Sequence, residues 1–507
     1  MFAKMDSLRG EHLAATTKKL NKFRYWKLLV SLYAVILFFM NFVRIFDNNF
    51  WGDEAFTVNL VKYSIPEIIE KTAADVHPPL YYLFVKLVYT ILGNQGWAYH
   101  LVSLIPCAII LFFSLTVIWK NFGWPVSVIL ITFAGLSDNA VCFNVEVRMY
   151  SWGALFVLLS YYCFYRILES DEWKNYLFFM VASLAAAYTH YYCLISVAFF
   201  YIALLIYSLL SKKSSIRKIL AVYVATIVGY LPWFFIMLQS MLNRIDNYWI
   251  TYTPGFRESI RYLFSNQMPS WMLLFIAFLG MIAVFYETGI LKIENDELGK
   301  HHVKFSFATV QCSNILIIII VGLLSIIGTI SFGILVSYLI RPFYGLRYIY
   351  PVSIVAWLLL GLILSKLKGG KIYTIIFVLV MLIVFYPDYK ERYITDKIQN
   401  EELELTLEAT TDIDTKDVIL TNHEHIDLYI AQCYYPGVET SLISLGEIPE
   451  LNPDLTYWLI ISETKELDRA FVQIKEQGFT YKQVVDTGNL GTHTVSIYKI
   501  VYNEGGN

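Results

Sequence analysis

A chain of 507 residues that is 57% hydrophobic and only 16% charged lies far from the soluble range of roughly 45–50% apolar and about 25% charged, and so reads as a polytopic membrane protein. Its net charge of −2 gives no electrostatic footprint for nucleic acid, so no nucleic-acid partner is expected. Its six cysteines are scattered without CxxC or Cys/His spacing, which argues for small apolar packing residues rather than a disulfide framework or structural zinc.

The residues before Lys27 include Lys18, Lys19, Lys22 and Arg24 and predict a cytoplasmic N-terminus, 1–26, ahead of an uncleaved start-transfer helix. A helix needs roughly 20 apolar residues to cross the hydrocarbon layer. Runs of about that length lie at 27–46, 98–119, 122–137, 149–167, 175–190, 193–211, 218–238, 271–291, 313–340, 348–365 and 371–387. About eleven transmembrane helices are therefore expected over 27–387. A further apolar run from Leu80 to Leu92 is shorter and carries Lys86. If it lies in the interface, the basic loops at Lys120, 166–174, 212–218, 292–304 and 366–371 all share the side of the N-terminus, as the positive-inside rule requires. The first outer loop, 47–97, and a C-terminal domain, 388–507, are then extracytoplasmic.

That loop opens with Trp51-Gly52-Asp53-Glu54. Ser64-Ile65-Pro66-Glu67 is a capping box with proline in the first turn, so a short helix starts there. Asp75-Val76-His77-Pro78-Pro79-Leu80-Tyr81-Tyr82 follows, and the apolar period after Pro79 predicts a second in-plane amphipathic helix. Acids and a histidine thus crowd the boundary where a span has just surfaced, which suits a substrate with one greasy end and one wet end. A solvated loop is the bland reading of Asp53 and Glu54; their tight placement and the nearby Asp75 and His77 favour function.

On this topology other polar outposts share the outer face: Glu146-Val147-Arg148-Met149-Tyr150, Thr189-His190-Tyr191, and Arg341 to Tyr348 around Arg347. Arg148 and Arg347 each sit in a short aromatic turn before a span, where a boundary charge needs a partner. Arg257 and Arg261 read better as snorkelling side chains. His190 reads slightly better as a loop hydrogen-bonder, and Lys86 as either a snorkelling side chain or a phosphate contact.

Arginines offer a planar fork for phosphate oxygens and offset charge developing on a leaving group. A carboxylate within hydrogen-bond reach of an acceptor hydroxyl or amine serves as base. Asp53 is the natural base, with Glu54 tuning it by like-charge repulsion or helping to hold a divalent cation or the acceptor. Inverting displacement at a sugar carbon needs this pairing of a base on one face and a stabilised leaving group on the other.

The Asp53-Glu54 pair, the Asp75-x-His77-Pro78-Pro79-Leu80-Tyr81-Tyr82 segment, the Glu146-x-Arg148-x-Tyr150 turn and Arg347-Tyr348 together resemble the GT-C-fold membrane glycosyltransferases. The resemblance is strongest to the dolichyl-phosphate-mannose protein mannosyltransferase and aminoarabinose lipid A transferase group, over roughly residues 25–390. It implies an all-α polytopic membrane domain and a polyprenyl-phosphate-linked monosaccharide donor, hexosyl or pentosyl. It also implies a glycan or lipid acceptor and an extracytoplasmic site with Asp53 as base. Arg148 and Arg347 take phosphate-contact positions; Asp75, His77, Tyr81, Tyr82, Lys86, Glu146, Tyr150 and His190 complete the expected binding set. Some relatives use a metal, for which Asp53 and Glu54 are the candidate ligands. The loop 239–270 has no room for the β-trefoil of the eukaryotic protein mannosyltransferases, which points away from a protein acceptor.

Beyond Pro387 the composition turns charged and mixed. A helix over 390–410, strands near 417–422, 457–461, 480–486 and 493–501, and helices over 423–434 and 465–477 predict a small α/β domain without a phosphate-binding glycine loop. His423, Glu424, His425 and Asp427 could ligate a metal, although a solvated helix start fits them better. Two rival functions remain: a secondary transporter or flippase of an amphiphilic substrate, and a ligase or polymerase using a diphosphate-linked glycan. No acid at a span centre and no repeat between halves supports the transporter.

Overall fold

The computed structural model describes residues 24–503 apart from 48, 76, 212–214, 244–249, 266–277, 279, 281, 283–290, 296–300, 306–312, 368, 424–427 and 463–464. Among the described residues, eight helices are long and apolar enough to cross a membrane: Arg24–Phe46, Gly96–Phe122, Tyr150–Glu169, Tyr191–Leu210, Ile216–Ser240, Asn314–Leu339, Leu346–Lys366 and Gly370–Ala409. They account for eight of the eleven expected spans. Two more are helices of 13 residues (Trp124–Leu136) and 15 residues (Trp173–Ala187), which at ~1.5 Å per residue reach about 20 Å, short of a ~30 Å hydrocarbon layer. The expected span at 271–291 lies almost wholly outside the described residues.

Trp124–Leu136 is interior. Every residue from Pro125 to Leu136 is buried, and Phe133 stacks on Trp357 with ring centroids 5.6 Å apart. Tyr350–Lys366, buried from Tyr350 through Leu364, is the central helix of the bundle. A Cβ on its Gly361 would meet the Cα of Val126 at 2.8 Å. A glycine is needed there for the two backbones to pack together, the small-residue device of membrane helices.

The segment 47–97, expected as the first outer loop, folds as three short helices, Gly52–Leu60, Ile65–Ala74 and Leu80–Leu92. The capping box predicted at Ser64 is present: the Glu67 carboxylate accepts from the Ser64 N–H at 2.9 Å. The Leu80 N–H donates to the Tyr188 carbonyl at 3.1 Å. This bond ties the helix after the diproline to the Tyr188–His190 turn.

The expected span 371–387 and the expected helix 390–410 are one helix of 40 residues, Gly370–Ala409, running through Pro387. Beyond Pro387 it is held to the first span: the Tyr389 hydroxyl donates to the Met40 carbonyl at 2.8 Å, and Arg44 pairs with Asp396 at 2.8 Å. Its far end carries a five-stranded mixed sheet in the order Glu439–Leu442, Val418–Thr421, Tyr457–Ile461, His493–Tyr502, Phe479–Leu490. The first two pairings are parallel and the last two antiparallel. Period-two alternation divides Tyr457–Ile461 between two cores. Trp458 and Ile460 join the core that includes Leu403 of the long helix, while Tyr457, Leu459 and Ile461 pack with Ala470 and Ile474 of the helix Leu467–Glu476. The four-residue edge strand Glu439–Leu442 was not expected, and of the expected helix 423–434 the structure describes Tyr429–Tyr434. A two-stranded hairpin, Leu291–Asn295 with His301–Phe305, lies in the expected basic loop 292–304.

Candidate active site

The site is built where the short helix after the first span meets three helix ends. Gly52–Leu60 begins at Trp51, and its two acids lie in the first turn, where the helix dipole favours negative charge. Glu54 reaches backwards and inwards. It is 4% exposed, and its carboxylate accepts from the Trp51 N–H at 3.2 Å and from the Val147 N–H at 2.6 Å. Glu54 therefore pins the helix start to the turn that carries Arg148. Burial, then the nearby Glu146, push the Glu54 carboxyl well above its usual range, although the two backbone donors pull the other way. Glu146, half-buried and accepting from the Cys142 thiol at 3.5 Å, is likewise raised by desolvation, against the pull of Arg347 and Arg148.

Asp53 faces the other way. Its Oδ2 lies 3.0 Å from Nη1 of Arg347 and 3.8 Å from Nη2 of Arg148, and its side chain stays about a third exposed, at 33%, against 3% for Arg148. Burial alone would raise its carboxyl, but Arg148 and Arg347, helped by His77, outweigh it and hold it below the ordinary value. Arg148 also donates to the Asp53 carbonyl at 3.3 Å and to the Tyr82 hydroxyl at 3.4 Å. Arg347 comes from the turn Leu346–Ile349 that leads into the central helix. Its guanidinium lies 5.3 Å from the centre of the Trp51 ring and 5.7 Å from that of Tyr348.

His77 and Asp75 form the next wall. Asp75 Oδ2 is 3.2 Å from His77 Nδ1, and the His77 ring is 5.9 Å from that of His190. His190 Nδ1 accepts from the Tyr192 N–H at 3.2 Å, and its ring packs near Tyr150 and Tyr348 at 5.7 and 5.3 Å. Burial, reinforced by the neighbouring cations, pushes His190 well below its usual value and keeps it neutral. Burial also lowers His77, opposed by Asp75.

The structure thus brings together Asp53, Glu54, Asp75, His77, Tyr82, Glu146, Arg148, Tyr150, His190 and Arg347. Tyr81 is fully buried and its hydroxyl shares a 2.9 Å hydrogen bond with Ser103 of a span. Lys86 donates to the Val61 carbonyl at 2.9 Å and lies 4.9 Å from the Tyr89 ring centre, away from the acids. Asp53 and Glu54 engage different partners, and no group of three or more His, Cys, Asp or Glu side chains among the described residues is placed to hold a metal ion. Of the tail cluster at 423–427, residues 424–427 lie outside the described residues. Two contributors had no place in the expected site set: Trp51 beside Arg347, and the aromatic wall of Tyr192, Tyr344 and Tyr348, in which Tyr192 lies 5.8 Å from Tyr344 and 5.6 Å from Tyr348. Their sequence signals were the motifs Trp51-Gly52-Asp53-Glu54 and Arg347-Tyr348 and the aromatic turns around His190 and Tyr344.

The C-terminal domain touches the same helix. Phe50 N–H donates to the Tyr434 hydroxyl at 2.8 Å, and Asn59 Nδ2 to the Tyr429 carbonyl at 2.8 Å.

Residues 76–236 match the family model described as dolichyl-phosphate-mannose-protein mannosyltransferase. That stretch carries His77, Arg148 and His190 but neither Asp53 nor Arg347. No curated protein matches the chain by sequence. Among solved structures, the chain is similar to ArnT from Cupriavidus metallidurans in the apo state, with a TM-score of 0.53 and 10% identity, over 94% of this chain and 97% of that one. It is similar also to the ArnT from Cupriavidus metallidurans bound to undecaprenyl phosphate, with a TM-score of 0.51 and 13% identity, over 93% and 98%. The chain has the GT-C fold, as the sequence resemblance implied, and carries the small C-terminal domain expected from the change of composition beyond Pro387.

Proposed function

From a membrane glycosyltransferase of GT-C fold as premise, we propose that this chain moves a monosaccharide from a polyprenyl-phosphate-linked donor to a cell-envelope glycan or lipid acceptor, with inversion at the sugar carbon. The observation that carries the reading is the single cluster in which Asp53, a third exposed, is flanked by Arg347 and Arg148. The undecaprenyl phosphate in the similar ArnT structure supports the lipid class of the donor.

Asp53 accepts the proton of the acceptor hydroxyl as its oxygen attacks the anomeric carbon. The carbon–oxygen bond to phosphate breaks, and polyprenyl phosphate leaves with the electron pair. Arg148 and Arg347 bind its oxygens and offset the charge that appears on them. The two arginines serve both partners. While they face Asp53 they keep it ionised but weakly basic, and when donor phosphate draws on them Asp53 becomes a stronger base. The base is thereby activated when the donor is in place. Arg148 Nε, buried and without a hydrogen-bond partner among the described residues, is a donor that a phosphate oxygen can meet. Trp51, Tyr348 and Tyr192 offer flat surfaces for the sugar ring.

The site and C-terminal domain face the extracytoplasmic side of the plasma membrane in this reading. Lys120, Arg166, Lys174, Lys366 and Lys371 lie near the helix ends remote from Asp53, the asymmetry expected of a cytoplasmic face. The test is transfer by the purified full chain from a polyprenyl-phosphate sugar, with Asp53→Asn as control. Wild-type transfer that the variant lacks supports the reading; equal turnover by both overturns it.

A further inference from the structure

A second polar cavity lies at the end of the bundle remote from Asp53. It measures about 480 Å³ and opens among the ends of Gly96–Phe122, Tyr150–Glu169 and Trp173–Ala187. Lys120, Arg166 and Lys174 line it, with Asn121, Tyr162 and Asn175 between them. The rim acid Glu172 is taken up by Lys174 at 2.6 Å, whereas Lys120 and Arg166 form no ion pair among the described residues. The polar side chains are braced. Asn121 Nδ2 donates to the Val117 carbonyl at 2.7 Å and to the Tyr162 hydroxyl at 3.3 Å, and Asn175 Nδ2 to the Ser170 carbonyl at 2.8 Å.

The helix wall of this cavity is irregular in a telling place. Thr116 and Val117 belong to a π-helical turn, Ser114–Ile118, inserted between regular helix on both sides. Such a turn forfeits regular hydrogen bonding, contains no proline here to cause it, and occurs often at functional sites. On its outer side the cavity merges with a lipid-facing surface. Phe178 lines it at 60% exposure, beside Leu177 and Val181 at 53% each. Cations at headgroup depth above an apolar flank match a phosphate that carries acyl chains.

We propose that this cavity binds the phosphate of an anionic membrane lipid, at a site separate from the one around Asp53. Arg166 supplies charge and a donor fork for phosphate oxygens, Lys120 a second charge, and the flank at Phe178 takes the chains. Basic pockets between membrane helices on the cytoplasmic side have this chemistry.

Native mass spectrometry of the full chain, titrated with phosphatidylglycerol or phosphatidylcholine, tests the proposal without reference to transfer. The wild type should retain phosphatidylglycerol in preference to phosphatidylcholine. Lys120→Gln, on an exposed side chain, should weaken that retention about fivefold, and adding Arg166→Gln about fivefold again. Equal retention of the two lipids by the wild type, or undiminished phosphatidylglycerol retention by a folded Lys120→Gln protein, overturns it. Competition separates the sources of phosphate. Displacement by undecaprenyl phosphate below the phosphatidylglycerol concentration supports the site and assigns it to the carrier lipid, whereas displacement by inorganic phosphate at lipid-like concentrations overturns a lipid site.

Discussion

Arg347→Gln separates the two roles that one guanidinium plays. It removes the Asp53 partner at 3.0 Å and leaves Arg148 at 3.8 Å. At an effective dielectric of ~20 a contact of that length corresponds to roughly 5 kcal/mol. Asp53 is a third exposed, and solvent screening cuts such contacts to roughly 1–2 kcal/mol, or about one pKa unit. The sign follows from the direction of the shift: Asp53 is held low by its arginines, so losing one raises it. In the pH profile of kcat/KM, which reports the free enzyme, the acid limb should move upward by about one unit. Lost stabilisation of the leaving phosphate should lower the plateau by about 10²–10³. Arg347→Lys, which keeps the charge but not the fork, should lower the plateau and leave the limb close to wild type. An acid limb that stays in place in Arg347→Gln, or moves down, would refute Asp53 as the group whose ionisation governs transfer.

Three further outcomes follow from the same geometry. Asp53→Asn should lower kcat by about 10²–10⁴ while donor KM stays level or falls, because Arg148 and Arg347 lose a competing anion; a matching rise in donor KM contradicts this. Glu54→Ala should unpair the Val147 and Trp51 N–H groups and cost about 1–3 kcal/mol in thermal unfolding. The Glu54 carboxyl is raised in the fold above the ordinary glutamate value, so its stabilisation is complete below that value and is lost as pH rises through the raised one; Glu54→Gln should flatten that decline. Tyr434→Phe should leave the Phe50 N–H unpaired, costing about 1 kcal/mol and speeding amide exchange at the start of Gly52–Leu60.

Patterns with short physical range were legible before the fold. The Ser64 box, the diproline at 78–79 and the Arg-containing turns before spans each specify a local conformation, and they predicted a polar cluster on one face. Other features depend on neighbours that the sequence does not announce. Glu54 reads in the sequence only as the neighbour of Asp53, and nothing there announces that its carboxylate engages the Val147 N–H across the chain. Pro387 looks like a helix end, yet Met381 and Phe385 on one side of it and Leu403 on the other are buried, and that packing offsets the ladder bond the proline forfeits. Length alone counted Trp124–Leu136 as a full span, whereas its burial on every side makes it part of the interior. Edge strand Glu439–Leu442 has little apolar content to betray it, since backbone pairing with Val418–Thr421 holds it in place.

The unbroken 40-residue helix Gly370–Ala409 works as a drive shaft between the remote face of the bilayer and the sheet domain. An α-helix turns by about 100° per residue, so its residue count sets the azimuth at which Tyr429 and Tyr434 arrive against the helix bearing Asp53. Side chains along the exposed part of that rod can change without moving the domain, whereas adding or deleting one residue there would swing it off its seat. The number of residues between Pro387 and Ala409, more than their identity, therefore sets where the domain sits.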